Sequence, residues 1–537
     1  MKQLSFIVVL IISATLLRAQ SFPASHKIVT ELYQQWRAFE YPPSFEGAPD
    51  YRPSTFEKRM PEFRKQQARL LAQDTTGWSL EQQTDWNIIR AEMNGFDFNF
   101  RVLRPWERDP AFYKSVWTER SDVPAHEGPT MHRTLETWTY SFPLTSPERT
   151  RMLDALKIIP SVTAQAMHNL TGNARELWIA GTIDIRTQVS DLEQLRGKSD
   201  LKGDTEMTKA IDAALASTKG FVDWLEKESK KKTGASGIGK ENYTWYQQNV
   251  NLLPFTWDDE VMLLKRELAR AWSALKLEEQ HNRDLPPLQD VKNPGEYKER
   301  AEAAVHNLME FLRKKDMLTV KDYFEPAVMD HIGSFVPADK RNFFLITSHL
   351  DPRPLFSHFY HWFELSRMDK EPNPCMVRRA PLLYNIFASR NEGLATAVEE
   401  IFMQAGLYDD SPRSREIVYI MLAQRAARGL GSLYAQANLM TMEEAGKLHM
   451  DYTPRGWMKV EKGFAAIEQL LYMRQPGYGT SYITGKYLVE EAMADYAKQK
   501  ESRGEAFSVR DFLDRVSTMG CIPLSLEHRE LTGKTTF

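Results

Sequence analysis

The chain has 537 residues, 69 of them basic and 72 acidic, for a formal net charge of -3 at pH 7. A charge this small, spread along the whole length, offers no field to attract nucleic acid or an anionic membrane surface. Two cysteines, Cys375 and Cys521, exclude a disulfide framework and leave their own pairing open, while the length permits a large core without cross-links.

Residues 1–19 read as a secretory signal peptide: a basic start at Met1-Lys2, an apolar run from Leu4 to Leu17, and small residues before Gln20. The apolar run is too short to span a bilayer, and no later stretch approaches the roughly 20 apolar residues a span requires. No Cys stands at the cleavage point, so a lipid anchor is not expected. The expectation is an exported chain, periplasmic or secreted, without a membrane span.

From His26 onward the apolar spacing is helical, with Ile28, Leu32 and Trp36 followed by Phe63, Ala68 and Leu71. Ala125 to His132 reads AHEGPTMH, which imitates a zinc motif. Its histidines are six apart with Gly128-Pro129 between them, so they do not share a helical face and the stretch reads as a polar loop. Glu226 to Lys240, first charged and then rich in Gly and Ser, reads as a flexible connector. Thr256 followed by Trp257, Asp258 and Asp259 makes a capped helix start. A Pro- and Gly-rich break at Asp284 to Glu296 divides an N-terminal helical region, 20–285, from a C-terminal one, 286–537, which together form one continuous body. No alternating strand pattern of useful length and no repeat emerges, so the predicted class is all-α with little or no sheet.

The chemistry concentrates between His349 and Glu400. Asp351-Pro352 starts a helix on which Leu355, Phe359 and Trp362 form an apolar stripe and Ser357, His361 and Glu364 a polar one, with His358 one turn from His361. A second helix is predicted over Leu382 to Gly406, where Glu392 and Glu399 lie seven apart and, at about 100° per residue, share a face. Two imidazoles facing two carboxylates suit either a zinc ion or a buried ion network, and spacing alone favours the network.

EGLATAVE at Glu392 to Glu399 resembles the EGWALYxE signature of the bacterial "domain of unknown function 885" family. Arg425-Ala-Ala-Arg428, PGYGTSYITGK at Pro476 to Lys486, and the ending with GCIPLSL follow in that family's order. GIGKENYTWY and LLPFTWDD suit its middle region, so the resemblance spans most of the chain and is most specific after Ser389. It implies a helical, peptidase-like body with a central cleft, a zinc site completed by Glu392, and Tyr482 as donor to a developing oxyanion. Members carry HExxPGH before EGWA, whereas this chain has LFSHFYHW, so the usual general base is missing. Three substitutes are open: His358 and His361 as ligands in an altered spacing, Glu399 or Glu364 as base, and His349 entering from the preceding loop.

Arg378, Arg379 and Arg390 precede Glu392 and are expected to pair with acidic groups such as Glu399 or Glu400, or to receive a peptide carboxylate. Tyr482 and Lys486 share a helical face, at the cleft or its rim. No GxSxG elbow is present, which leaves covalent catalysis without support. The resulting expectation has metal ligands His358, His361 and Glu392, catalytic groups Tyr482 and Glu399, zinc as the ion, and a peptide or other small molecule as substrate. The competing expectation is an inactive relative that binds a peptide or cell-envelope component.

Overall fold

In the computed structural model, which describes residues 24–121, 130–379, 384, 386–458 and 472–534, the Asp259 N–H donates to the Thr256 hydroxyl and the Asp259 carboxylate accepts from the Thr256 N–H. This capping box satisfies donors that helix Trp257–His281 leaves open at its start. Leu264, Leu268, Ala271 and Leu275 recur along the helix at the 3.6-residue period and are buried against helix Ser414–Gln436. The signal-peptide residues, Ala125 to Pro129, and Leu382 and Leu383 lie outside the described residues.

Helices carry nearly all of the regular structure. Among the described residues the strands form short pairs, Ser44–Phe45 antiparallel to Ala48–Pro49 and Val116–Trp117 parallel to Leu135–Glu136. The principal core runs from Val29 to Leu531 and takes side chains from both sides of the Asp284 to Glu296 break. A satellite core forms where helices Ser146–Asn169, Arg175–Gly197 and Thr205–Ser229 bury Leu156, Ile159, Leu192 and Ile211.

At the centre, helix Ala388–Gln404 crosses helix Tyr478–Ser502 with almost no side chain between them. A methyl group added to Gly393 would stand 2.3 Å from the Gly485 Cα, and one added to Gly485 would stand 2.0 Å from the Ser389 carbonyl oxygen. The glycine after Glu392 is therefore a packing requirement that fixes how near Glu392 comes to the Tyr478 helix. Helix Ala388–Gln404 is buried on nearly every side, so its charged residues must find partners within the protein.

The Gly/Ser stretch after Ser229 is a packed turn and not a loose connector. A Cβ on Gly234 would lie 2.1 Å from the Asn173 carbonyl oxygen. The buried Ser236 hydroxyl accepts from the Glu176 N–H at 3.0 Å, and Lys232 lies 4.0 Å over the Trp178 ring. Small residues serve close contact here, a use that composition cannot tell from flexibility. The cysteines are both free: Cys375 donates to Asp85 at 3.2 Å, whereas buried Cys521 lies 3.8 Å from the Met368 sulfur.

His132, the second histidine of the zinc look-alike, is buried beside Tyr51 and Ser115, and its Nε2 lies 3.1 Å from the Lys114 carbonyl oxygen. The carbonyl fixes the proton on Nε2, and Nδ1 accepts from the Tyr51 hydroxyl at 3.0 Å.

Two predictions follow from this packing. Gly393→Ala is expected to destabilise the fold by about 1–3 kcal/mol, because the obstacle is main chain; a urea midpoint equal to that of the wild type would contradict it. Burial pushes the His132 imidazole down to about 4 from its ordinary 6.5. The unfolded chain therefore takes up this proton first, so stability is full above pH 6.5 and falls as pH drops towards 4, by about 3 kcal/mol at most. In His132→Gln the fall across that window should be smaller, as measured by denaturant unfolding at each pH.

Candidate metal centre

The two histidines sit on either side of a break that the sequence does not announce. Asp351 accepts from the Arg353 N–H at 2.9 Å and starts helix Arg353–His358, but Phe359, at ψ 13°, ends it, and a new helix runs from Tyr360 to Lys370. The polar stripe faces inward, with Ser357, His361 and Glu364 buried, whereas in the apolar stripe Trp362 is buried and Leu355 and Phe359 are half-buried. Across the break the imidazole planes meet at 82°, with ring centres 4.9 Å apart.

Both rings converge on one carboxylate. His361 Nε2 lies 3.1 Å and His358 Nε2 3.6 Å from Glu392 Oε2, and one donor atom from each residue lies within 4.8 Å of the others. All three residues are buried. Zinc held tetrahedrally at about 2.0–2.1 Å keeps its ligand atoms about 3.3 Å apart, so these separations fit one ion. Burial by itself would raise the Glu392 carboxyl; the charge on His361 and hydrogen bonds from both imidazoles outweigh it and hold the group well below the usual carboxylate range.

A second layer orients these donors. Glu399 Oε1 lies 2.8 Å and Arg425 Nη2 3.2 Å from His358 Nδ1, so a carboxylate–guanidinium pair backs that edge of the ring and Nε2 is the nitrogen turned to Glu392. Arg425 grips both Glu399 oxygens at 2.7 Å. Tyr478, at the start of its helix, donates to Glu392 Oε1 at 2.5 Å, which leaves Oε2 towards the histidines. The turn before it depends on Gly477, whose φ of 88° is left-handed and whose missing side chain leaves room for Gln247. The Tyr482 ring lies parallel to His358 with centres 6.2 Å apart, and Arg428 covers it at 4.2 Å.

His358, His361 and Glu392 are thus brought together. Glu399 faces the Nδ1 edge of His358, away from the convergence point, so it orients an imidazole instead of standing beside a water. Tyr482 stands alongside the His358 ring, and a tyrosine hydroxyl reaches Glu392 from Tyr478, four residues earlier on the same helix. The remaining substitutes are elsewhere. Glu364 is paired with Arg390 at 2.7 Å, and His349 lies inside helix Phe343–Leu350, its ring tilted against Tyr297 and accepting the Val336 N–H. The arginines choose other partners than Glu399 or Glu400: Arg378 takes Asp85 and Glu530, Arg390 takes Glu364 and Glu527, and Arg379 donates to the carbonyls of Asn373 and Pro374. Glu400 belongs to a separate network with Arg270 and Lys486, so Lys486 does not serve the centre.

Two solved structures share this fold. A Shewanella oneidensis protein proposed to be a lipoprotein, of unknown function, superposes with a TM-score of 0.64 at 14% identity, covering 94% of this chain and 98% of its own. A Colwellia psychrerythraea protein also proposed to be a lipoprotein superposes with a TM-score of 0.66 at 13% identity, covering 95% and 99%. No protein-family model matches the chain, and no curated protein does. The likeness establishes the fold over nearly the whole length, and the chemistry has to be argued from this chain's own residues. Among the described residues no helix is long and apolar enough to cross a membrane.

Glu399→Gln weakens the hold on His358 without removing a ligand. Zinc affinity, measured by competition with a chromogenic chelator, is expected to fall about 10–100-fold; an unchanged affinity would remove Glu399 from the second layer.

Proposed function

We propose that the chain is an exported, zinc-dependent hydrolase of peptide bonds, with His358, His361 and Glu392 as ligands. The observation that carries the metal is the convergence of three buried donors at separations matching one tetrahedral ion. The peptide class rests on the resemblance of EGLATAVE and the segments after it. When bound, zinc would supply Lewis acidity to a scissile carbonyl and to an attacking water.

The chain's own groups then have distinct tasks. Glu399 and Arg425 back the Nδ1 edge of His358 and so orient its ring. Glu392 turns Oε2 to the histidines as the ligand oxygen, while Oε1 is held by the Tyr478 hydroxyl. Tyr482 and Arg428 wall the site and can donate to a developing oxyanion.

A second reading is favoured by the fate of the spare carboxylates. Because Glu399 and Glu364 are both committed to arginines, the site has no independent base, which suits a protein that binds a peptide or cell-envelope component without turnover.

Elemental analysis of protein purified without chelators is expected to find close to one zinc per chain, absent in Glu392→Ala. Zinc at about one hundred times its Kd should stabilise the wild type by about 2.7 kcal/mol and leave that variant unmoved. Metal-free wild type removes the metal reading. Cleavage of a peptide library that disappears in His361→Ala supports the hydrolase, and zinc binding without cleavage supports the second reading.

A further inference from the structure

Beyond the metal ligands, where Glu364 follows His361 by one helical turn, the chain encloses a small recess of about 70 Å³. Its walls include Arg367, Arg378 and Arg379 together with Asn373, Glu364 and Glu371. Three arginines around so small a space call for an account of their charges. Arg378 is neutralised by Asp85 and Glu530, Glu364 by Arg390, and Glu371 by Lys321 at 2.8 Å. Arg367 and Arg379 are the arginines of this wall that have no carboxylate within hydrogen-bond distance among the described residues. Arg379 donates only to main-chain carbonyls among the described residues, which satisfies its N–H groups without cancelling its charge. Arg367 is 8% exposed, its nearest carboxylate is Glu371 at 3.9 Å, and its Nε is buried without a hydrogen-bond acceptor.

A buried guanidinium N–H without an acceptor costs free energy that the fold recovers when an acceptor arrives. The volume admits a group of a few heavy atoms and not a folded peptide segment. We propose that this recess is a binding site for a small oxyanion, a carboxylate or a phosphate, held by Arg367 and Arg379. Planar guanidinium donors suit both groups, because each presents oxygens at the spacing of a two-pronged contact. Asn373, whose amide donates to the carbonyls of Thr518 and Met519, holds the far wall in place. The site does not depend on the metal reading.

The test is calorimetric titration of the full chain with inorganic phosphate and with an N-acetylated dipeptide as its free acid and as its amide. Saturable binding of phosphate, or of the acid and not the amide, is expected, and which of the two binds tells a phosphoryl group from a peptide C-terminus. Affinity should fall roughly tenfold or more in Arg367→Gln. Because Arg367 also packs on Phe324, the exposed Arg379→Gln provides a second variant that spares the core and should weaken binding in the same direction. Zinc content should be unchanged in both, so a failure here is separable from a failure of the metal centre. No saturable binding of any of the three probes, or equal binding in wild type and both variants, overturns the proposal.

Discussion

Both oxygens of Glu399 are held by Arg425 at 2.7 Å in a place shielded from water, and the candidate metal centre depends on that pair. An ionised carboxylate taken out of water costs several kcal/mol unless a cation faces it. Here one cation does so, and the pair together backs the Nδ1 edge of His358. Take away Arg425 and Glu399 would have to be neutral or disordered, His358 would lose its backing, and the convergence on Glu392 would loosen. The helix that carries Glu392 and Glu399 solves the same problem repeatedly along its length, with Arg390 meeting Glu364 and Glu527, and Glu400 meeting Arg270 and Lys486. Each pair is a weak contributor to net stability, but together they fix the rotation of a helix that has no solvent-facing side to orient it.

Much of this was legible in the residues themselves. The helical class, the capped start at Thr256, and the grouping of His358, His361, Glu392 and Glu399 all follow from periodicities and types that act over a few residues. What could not be read involves contacts between residues far apart in the chain. Nothing between His358 and Tyr360 marks a helix end, since neither Pro nor Gly is present, and the break reflects how two short helices are packed. Tyr478 and Tyr482 lie one turn apart on a single helix, and sequence spacing alone does not tell that the Tyr478 hydroxyl meets Glu392. The arginines before Glu392 were expected near Glu399 because they are near in sequence, yet Asp85 and Glu530, at opposite ends of the chain, claim Arg378. The polar stripe of His361 turned inward for the same reason, because its partners were already inside.

The relation to the Shewanella and Colwellia proteins limits what fold alone can say. At 13–14% identity the architecture is shared over almost the full length of each chain, while side chains at any given position are free to differ. A cleft framed by the same helices can hold a metal in one protein and a water network in another. What favours a metal in this chain is the separation of its own donor atoms and the groups behind them.

The contact of Gly393 with Gly485 gives the centre a length standard. Where two helices are held apart by side chains, their spacing drifts as those side chains are exchanged for larger or smaller ones. Main chain resting on main chain has no rotamers and no intermediate sizes, so the gap between Glu392 and the helix of Tyr478 is set by atomic radii alone. The surrounding core can be rewritten extensively without altering that gap. The helix spacing at the candidate centre is thus insensitive to exchanges of side chain in the surrounding core and sensitive to any side chain at Gly393 or Gly485.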